Sequence, residues 1–219
     1  MITIFKFVVA LIFFCISKSF SQNTKSELFI TANLNMYFPT NSLQEFQPIV
    51  QFSNPFSVGG FGIGATLLNP LNKTLILKNQ ANISFIKFKD TPVLLTDPSG
   101  QSLGNITGIT RDLNLGITST INYSLTNRFS MGAGLGLKIL LDSRTNYNFI
   151  NQSPLGTSIN GYYKPIMPVF PIEATLRLKK MMFNLRYEYS ILNKLKGDLS
   201  DYTSEKYSLI SLEIGYKIK

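Results

Sequence analysis

The chain has 219 residues, 44% of them apolar and 15% charged, with a formal net charge of +9, a single cysteine, no histidine and no tryptophan. That length allows one ordinary domain or one small barrel. Beyond the N-terminus no apolar run reaches the ~18 residues that a spanning helix needs, and without histidine both the Ser-His-Asp route and histidine general-base catalysis are closed.

Met1 to Lys6 is a lysine-bearing start. Phe7 to Ile16 is a short apolar core, and Ser17 to Ser21 is a small-residue end. This order predicts a secretory signal over 1–21, cleaved between Ser21 and Gln22, and a mature domain over 22–219. Cys15 leaves with the signal, so the mature chain has no cysteine for a disulfide or a metal site; no metal and no cofactor is expected. Lys6 and Lys18 leave as well, which lowers the net charge to about 9 − 2 = +7. Export argues against nucleic acid as a partner, and the remaining positive charge is scattered rather than massed in one arm.

The mature chain alternates with period two, the signature of half-buried strands. Leu28–Phe38 opens the series, with Leu28, Ile30, Ala32, Leu34, Met36 and Phe38 on one face. Phe56–Leu68 and Leu75–Phe88 follow less cleanly, and the second predicts a change of face at a β-bulge near Phe85-Ile86. Asp112–Tyr123 and the cleaner Phe129–Leu141 come next. Val169–Leu178 begins among Pro168 and Pro171, so regular pairing is expected only from about Ile172. Met181–Ile191 and Ile210–Ile218 complete eight strands. The connections alternate in length: long at 39–55, short at 69–72, long at 89–111, short at 124–128, long at 142–168, short at 179–180 and longer at 192–206. This is the pattern of an even-stranded outer-membrane barrel, with short periplasmic turns, long outer loops and both termini in the periplasm.

A soluble sandwich also alternates, but its polar face carries Lys and Glu into water. Here the polar face is rich in Gly, Asn, Thr and Ser, and its charges form opposite-sign sets: Glu173, Arg177, Arg186, Glu188, Glu213 and Lys138. A narrow eight-stranded lumen is filled by side chains, and charges there need partners. Gly60, Gly62 and Gly64, with Gly132, Gly134 and Gly136, would leave room for those long side chains. The runs around these glycines lack the spacing and the following helix of a dinucleotide fingerprint. Aromatic residues fall into two girdles: Phe38, Phe56, Phe88 and Phe170 near the outer rim, and Phe29, Tyr123, Phe129, Phe183 and Tyr216 near the periplasmic rim. Tyr147, Phe149, Tyr162 and Tyr163 in the third long loop suit protein or glycan contact.

On this architecture the mature chain resembles small outer-membrane β-barrels of the OmpA/OmpX type. The Phe-Ser-Gln at the signal's end, the Asn/Lys-rich composition and the size look like the PorT-like outer-membrane barrels of Bacteroidetes. The C-terminus departs from the aromatic ending common in such proteins and reads Tyr216-Lys217-Ile218-Lys219. The resulting expectation is an all-β, closed, antiparallel, eight-stranded up-and-down transmembrane barrel in the cell outer membrane. It would be a non-enzymatic monomer in contact with outer-membrane lipid, serving as a structural or recognition platform through its loops. A narrow porin-like channel for ions or small solutes, or an accessory role in a secretion system, are the alternatives.

Overall fold

The computed structural model describes residues 26–37, 40–42, 59–89, 93–96, 102–149, 155–158, 164–193 and 204–218. Among them every regular element is a strand: β1 Glu27–Tyr37, β2 Thr40–Ser42, β3 Gly59–Pro70, β4 Leu75–Lys89, β5 Val93–Thr96, β6 Ser102–Ser124, β7 Phe129–Phe149, β8 Leu155–Ser158, β9 Ile166–Arg177, β10 Met181–Asn193 and β11 Ser204–Lys217. Eight of them pair in the order β1-β3-β4-β6-β7-β9-β10-β11, and β11 returns to β1, so the sheet closes into a barrel. All pairings are antiparallel. Closure removes the sheet edges that lipid cannot satisfy. The short strands β2, β5 and β8 pair with β11, β6 and β7 at the end where the connections are long.

Alternation sorts side chains as the sequence reading expects. Thr31, Asn33 and Asn35 turn into the lumen and are buried, whereas Ile30 and Leu34 face out. The outer wall is apolar: Ile63 is 67% exposed and Leu135 is 71% exposed, with Phe61, Ile83, Ile121, Ile172, Leu185 and Leu212 also on the surface. A polar interior within an apolar shell is the inverse of a water-soluble barrel.

The short-turn end is built from local hydrogen bonds. Leu71 N–H donates to Leu75 O at 2.8 Å, and Asn72 Oδ1 accepts from the Thr74 and Leu75 amides at 2.8 and 2.7 Å. The turn between β6 and β7 repeats the device: Leu125 N–H donates to Phe129 O at 3.0 Å, and Thr126 Oγ1 accepts from the Arg128 and Phe129 amides. Both are side-chain-capped turns of the kind Asn and Thr favour.

Three expectations change. The register of β4 runs unbroken through Phe85 and Ile86 on both sides, so no bulge lies there. Irregularities fall elsewhere: in β7, where Leu113 pairs with Asp142 and Asn114 with Leu140, leaving Leu141 as the extra residue, between Tyr189 and Asn193 in the β10–β11 ladder, and between Leu95 and Thr96 in the β5–β6 ladder. Strand β9 pairs from Ile166, ahead of both prolines. Its ladder with β7 is interrupted only between Ile172 and Val169, where Pro171 has no N–H to give, and resumes in the same register. All four expected long loops are partly strand: β2 lies within 39–55 and pairs with the start of β11 within 192–206, while β6 spans 23 residues and β7 spans 21, and they stay paired to Ile106 and Phe149. A tilted membrane strand needs only ~9–11 residues, so this ribbon continues well past the barrel wall. The signal segment, Phe38 and Phe56 lie outside the described residues.

Candidate functional site: the lumen

The lumen is layered. At the short-turn end Phe29, Leu68, Ile76 and Met182 form a buried apolar cluster. At the other end Ile86, Met167, Val169 and Leu209 form a second one. Phe29 is thus a lumen residue, only 1% exposed, and not part of the lipid-facing girdle in which the sequence reading placed it. The girdle residues Tyr123 and Tyr216 are half-exposed on the outer wall, and Phe129 and Phe183 share that face. Near the far rim, Phe170 is exposed, and Phe61 and Phe85 pair across β3 and β4 with ring centroids 5.8 Å apart. Phe88 lies within β4.

Between the clusters lies a charged layer. Glu173 on β9 is its centre. Its Oε2 accepts from Arg186 Nη2 at 2.7 Å, Arg186 Nε at 2.9 Å, Lys78 Nζ at 3.1 Å and Asn184 Nδ2 at 3.2 Å. Its Oε1 accepts from Thr120 at 2.5 Å and Asn122 at 3.0 Å. Arg186 reaches on to Thr118 at 3.2 Å and Glu188 at 3.5 Å, and Lys138 Nζ lies 2.7 Å from Glu188 Oε2. Glu213 on β11 accepts from Gln80 on β4 and, at 3.4 Å, from Thr66 on β3. Three cations (Lys78, Lys138, Arg186) face three carboxylates (Glu173, Glu188, Glu213), so the layer is neutral, and all six are at most 3% exposed. Five of the six are ion-paired, and Glu213 is held instead by its hydrogen bonds from Gln80 and Thr66; charges in a low-dielectric interior need such partners.

Of the six charges anticipated from sequence, Glu173, Arg186, Glu188 and Lys138 meet in one network, and Glu213 is buried in the same lumen but is bound separately, by Gln80 and Thr66. Arg177 does not join. It sits half-buried at the short-turn end with no ion pair among the described residues, and its Nε has no hydrogen-bond partner. Lys78 is the member the sequence reading missed. Its strand begins Leu75-Ile76-Leu77, which blurs the alternation, but Lys78, Gln80, Asn82 and Ser84 follow in strict period two and all are buried. Asp112 also faces the lumen, accepting from Ser143 Oγ at 2.6 Å across the β6–β7 pair.

The anticipated glycines make this packing possible. Gly132 pairs directly with Glu173, and a Cβ there would lie 2.6 Å from Asn122. At Gly134 a Cβ would fall 2.0 Å from the Ser119 carbonyl oxygen, so the strands approach too closely for any side chain. Gly60, Gly62 and Gly64 would likewise meet the β4 backbone within 3 Å, and Gly136 the Ile117 oxygen. Gly116, not singled out from sequence, pairs with Lys138, and a Cβ there would meet Asn82 Oδ1 and the Lys138 ammonium. Tyr147 and Phe149 lie in β7 beyond the barrel wall, whereas Tyr162 and Tyr163 lie outside the described residues.

A closed eight-stranded antiparallel barrel with an apolar exterior and a packed polar lumen defines the class: a small outer-membrane β-barrel protein. No protein-family model matches the chain, and no curated protein sequence matches it. Solved structures of similar shape include Ail, the attachment invasion locus protein of Yersinia pestis, in complex with the heparin analogue sucrose octasulfate (12% identity, TM-score 0.48, covering 88% of this chain and 99% of that one). Neisserial surface protein A has 10% identity and a TM-score of 0.45, covering 86% and 96%. The N-terminal β-barrel domain of OprF from Pseudomonas aeruginosa has 11% identity and a TM-score of 0.37, covering 90% and 100%. At such identities the likeness is one of barrel shape.

Proposed function

We propose that this protein is a non-enzymatic, monomeric outer-membrane platform: a sealed barrel that anchors and displays its long connections for structural or recognition work. The observation that carries this reading is the three-layer lumen. An apolar cluster closes each end, and a neutral, cross-braced ion network fills the middle. A conducting path would have to displace both clusters and desolvate an ion past paired charges. Recognition is then left to the extension of β6 and β7 with β5 and β8, where Tyr147 and Phe149 lie, and to the outer loops. The absence of histidine supports a non-enzymatic role, and ring closure within one chain supports a monomer. Membership among the PorT-like barrels is proposed on composition, size and the signal's ending alone.

Planar-bilayer recording tests the seal. The purified mature protein should insert without steady conductance at either polarity. Stable, ohmic steps from the wild-type barrel would favour the channel alternative and end the platform reading.

A further inference from the structure

Three cations stand side by side on the barrel's outer wall. Lys87 on β4 pairs in register with Arg111 on β6, and Arg111 pairs with Arg144 on β7. Each alternates with buried inward neighbours (Ile86, Thr110 and Asp112, Ser143), so all three point out, and all three are exposed. Like charges directly opposite one another on adjacent strands are destabilising. Arg144 is offset by Asp142, with Nε 2.9 Å from Oδ2. Lys87 and Arg111 have no ion pair among the described residues, so the row keeps a net positive charge.

The height of the row is informative. Lys87 lies twelve residues beyond Leu75, the first residue of β4 after its short turn. At ~3.4 Å per residue and a strand tilt near ~40°, that is roughly 30 Å above the half-exposed Tyr123, which pairs with Leu75. The apolar band of such barrels is about 25 Å tall. Phe85, two residues below Lys87 on the same face, packs at a tilt against Phe61 at the level of an aromatic girdle. Leu113 lies below Arg111 on the same wall, and below Arg144 come Asp142, which pairs with Leu113, and the bulged Leu141. The row therefore begins where the hydrocarbon ends, on the lipid side, at the long-loop end. The matching rim of β1, β11 and β10 carries Met36, Ile210 and Tyr187 in register, with no cation.

We propose that Lys87, Arg111 and Arg144 form a phosphate-binding row for an outer-leaflet glycolipid that bears phosphate on its sugars. Arginine suits phosphate through its fork of N–H donors, and lysine serves as a point charge. The lipid-facing position, rather than the lumen or the loop tips, selects a headgroup anchored in the bilayer. The assignment rests on the outer-membrane placement, with the long-loop end in the outer leaflet.

The test uses the whole mature protein in phosphatidylcholine nanodiscs doped with lipid A, or with dephosphorylated lipid A, and counts retained lipid by native mass spectrometry. The wild type should retain the phosphorylated lipid at least about tenfold better than the dephosphorylated one, given about 1 kcal/mol per basic residue at an anionic surface. Lys87→Gln/Arg111→Gln/Arg144→Gln should lose that preference, whereas Lys73→Gln/Lys179→Gln/Lys180→Gln at the opposite end should keep it. Folding of each variant is read from heat-modifiable gel migration. A second readout separates binding from fold: in uncharged detergent the row variant should be at least as heat-resistant as wild type, and in lipid A bilayers less so. Equal retention of both lipids by the wild type, an unaffected row variant, or competition by millimolar free phosphate would each overturn the assignment while leaving the barrel intact. So would preference for a soluble sulfated sugar over lipid A. Failure of the wild type to insert would overturn the barrel reading with it.

Discussion

The middle of the lumen and its two ends exclude water by different means. The middle does so with specific partners: Lys78 on β4 crosses the lumen to Glu173 on β9, Gln80 on β4 crosses to Glu213 on β11, and Arg186 links Glu173 to Glu188. The ends do so chiefly with shape, through Phe29, Leu68, Ile76 and Met182 on one side and Ile86, Met167, Val169 and Leu209 on the other. The first arrangement fixes which strand faces which across the barrel but tolerates no missing partner. The second is forgiving of chemistry but sensitive to volume.

The sharpest way to break this contrast is at Glu173. Glu173→Ala strands the buried Lys78, leaves Arg186 only its longer bridge to Glu188, and removes the acceptor for Thr120, Asn122 and Asn184. The expected loss is about 3–5 kcal/mol, read as a lowered urea midpoint in micelles. Pairing the change with Lys78→Met should recover a large part of it, because Arg186 keeps Glu188 and only a matched apolar pair replaces the bridge. A double variant no more stable than the single one would show that the network is not a set of paired charges.

A second comparison sets the plug against the lipid face on a single strand. Met182 is fully buried in the short-turn cluster, whereas Leu185, three residues on, is 54% exposed on the outer wall. Met182→Ala should cost about 2–5 kcal/mol through the cavity it leaves. Leu185→Ala should cost less than about 1 kcal/mol in a bilayer, where lipid tails replace the lost contacts and no hydrophobic gain was at stake. Equal losses at the two positions would mean that the clusters do not seal the lumen ends.

These two regions also differed in how far they could be read from sequence. The charged layer was largely legible, since strict alternation through Glu173, Arg186, Glu188 and Glu213 puts each on the polar face, and a narrow barrel obliges them to meet. Lys78 was obscured by Ile76 and Leu77 just before it. The apolar ends were not legible, because their residues read as lapses in the pattern. In Leu67-Leu68, Phe85-Ile86, Met181-Met182 and Leu209-Ile210, one member turns into the lumen and joins a cluster. Phe85-Ile86 was accordingly read as a bulge. Phe29 fell on the lumen face by parity, yet an aromatic near a rim suggested a girdle. The bulge at Leu141 follows a clean run that gives no sign of it. The pairing beyond the barrel wall was hidden because residues 89–111 and 142–168 mix Gly, Pro and Asn into their short strands.

The glycines should give graded effects that end in the smallest of all, and their order tests whether the lumen is packed by backbone approach or by side-chain ends. At Gly134 a Cβ would meet Ser119 O at 2.0 Å and Thr120 Cα at 2.6 Å, atoms that cannot move without bending β6. At Gly116 it would meet Asn82 Oδ1 at 2.3 Å and Lys138 Nζ at 2.9 Å, the ends of flexible side chains. At Gly59 it would meet nothing within 4 Å. Overpacking of this kind costs about 1–3 kcal/mol, so Gly134→Ala should lie at the top of that range and Gly116→Ala near the bottom. Gly59→Ala should fall within about 0.5 kcal/mol of wild type. Urea midpoints for the three alanine variants in one detergent would establish the order. If Gly116→Ala proved the most damaging, the Lys138–Glu188 bridge beside it would be held more rigidly than the strands themselves, and the ion network rather than the backbone would set the spacing of the barrel wall there.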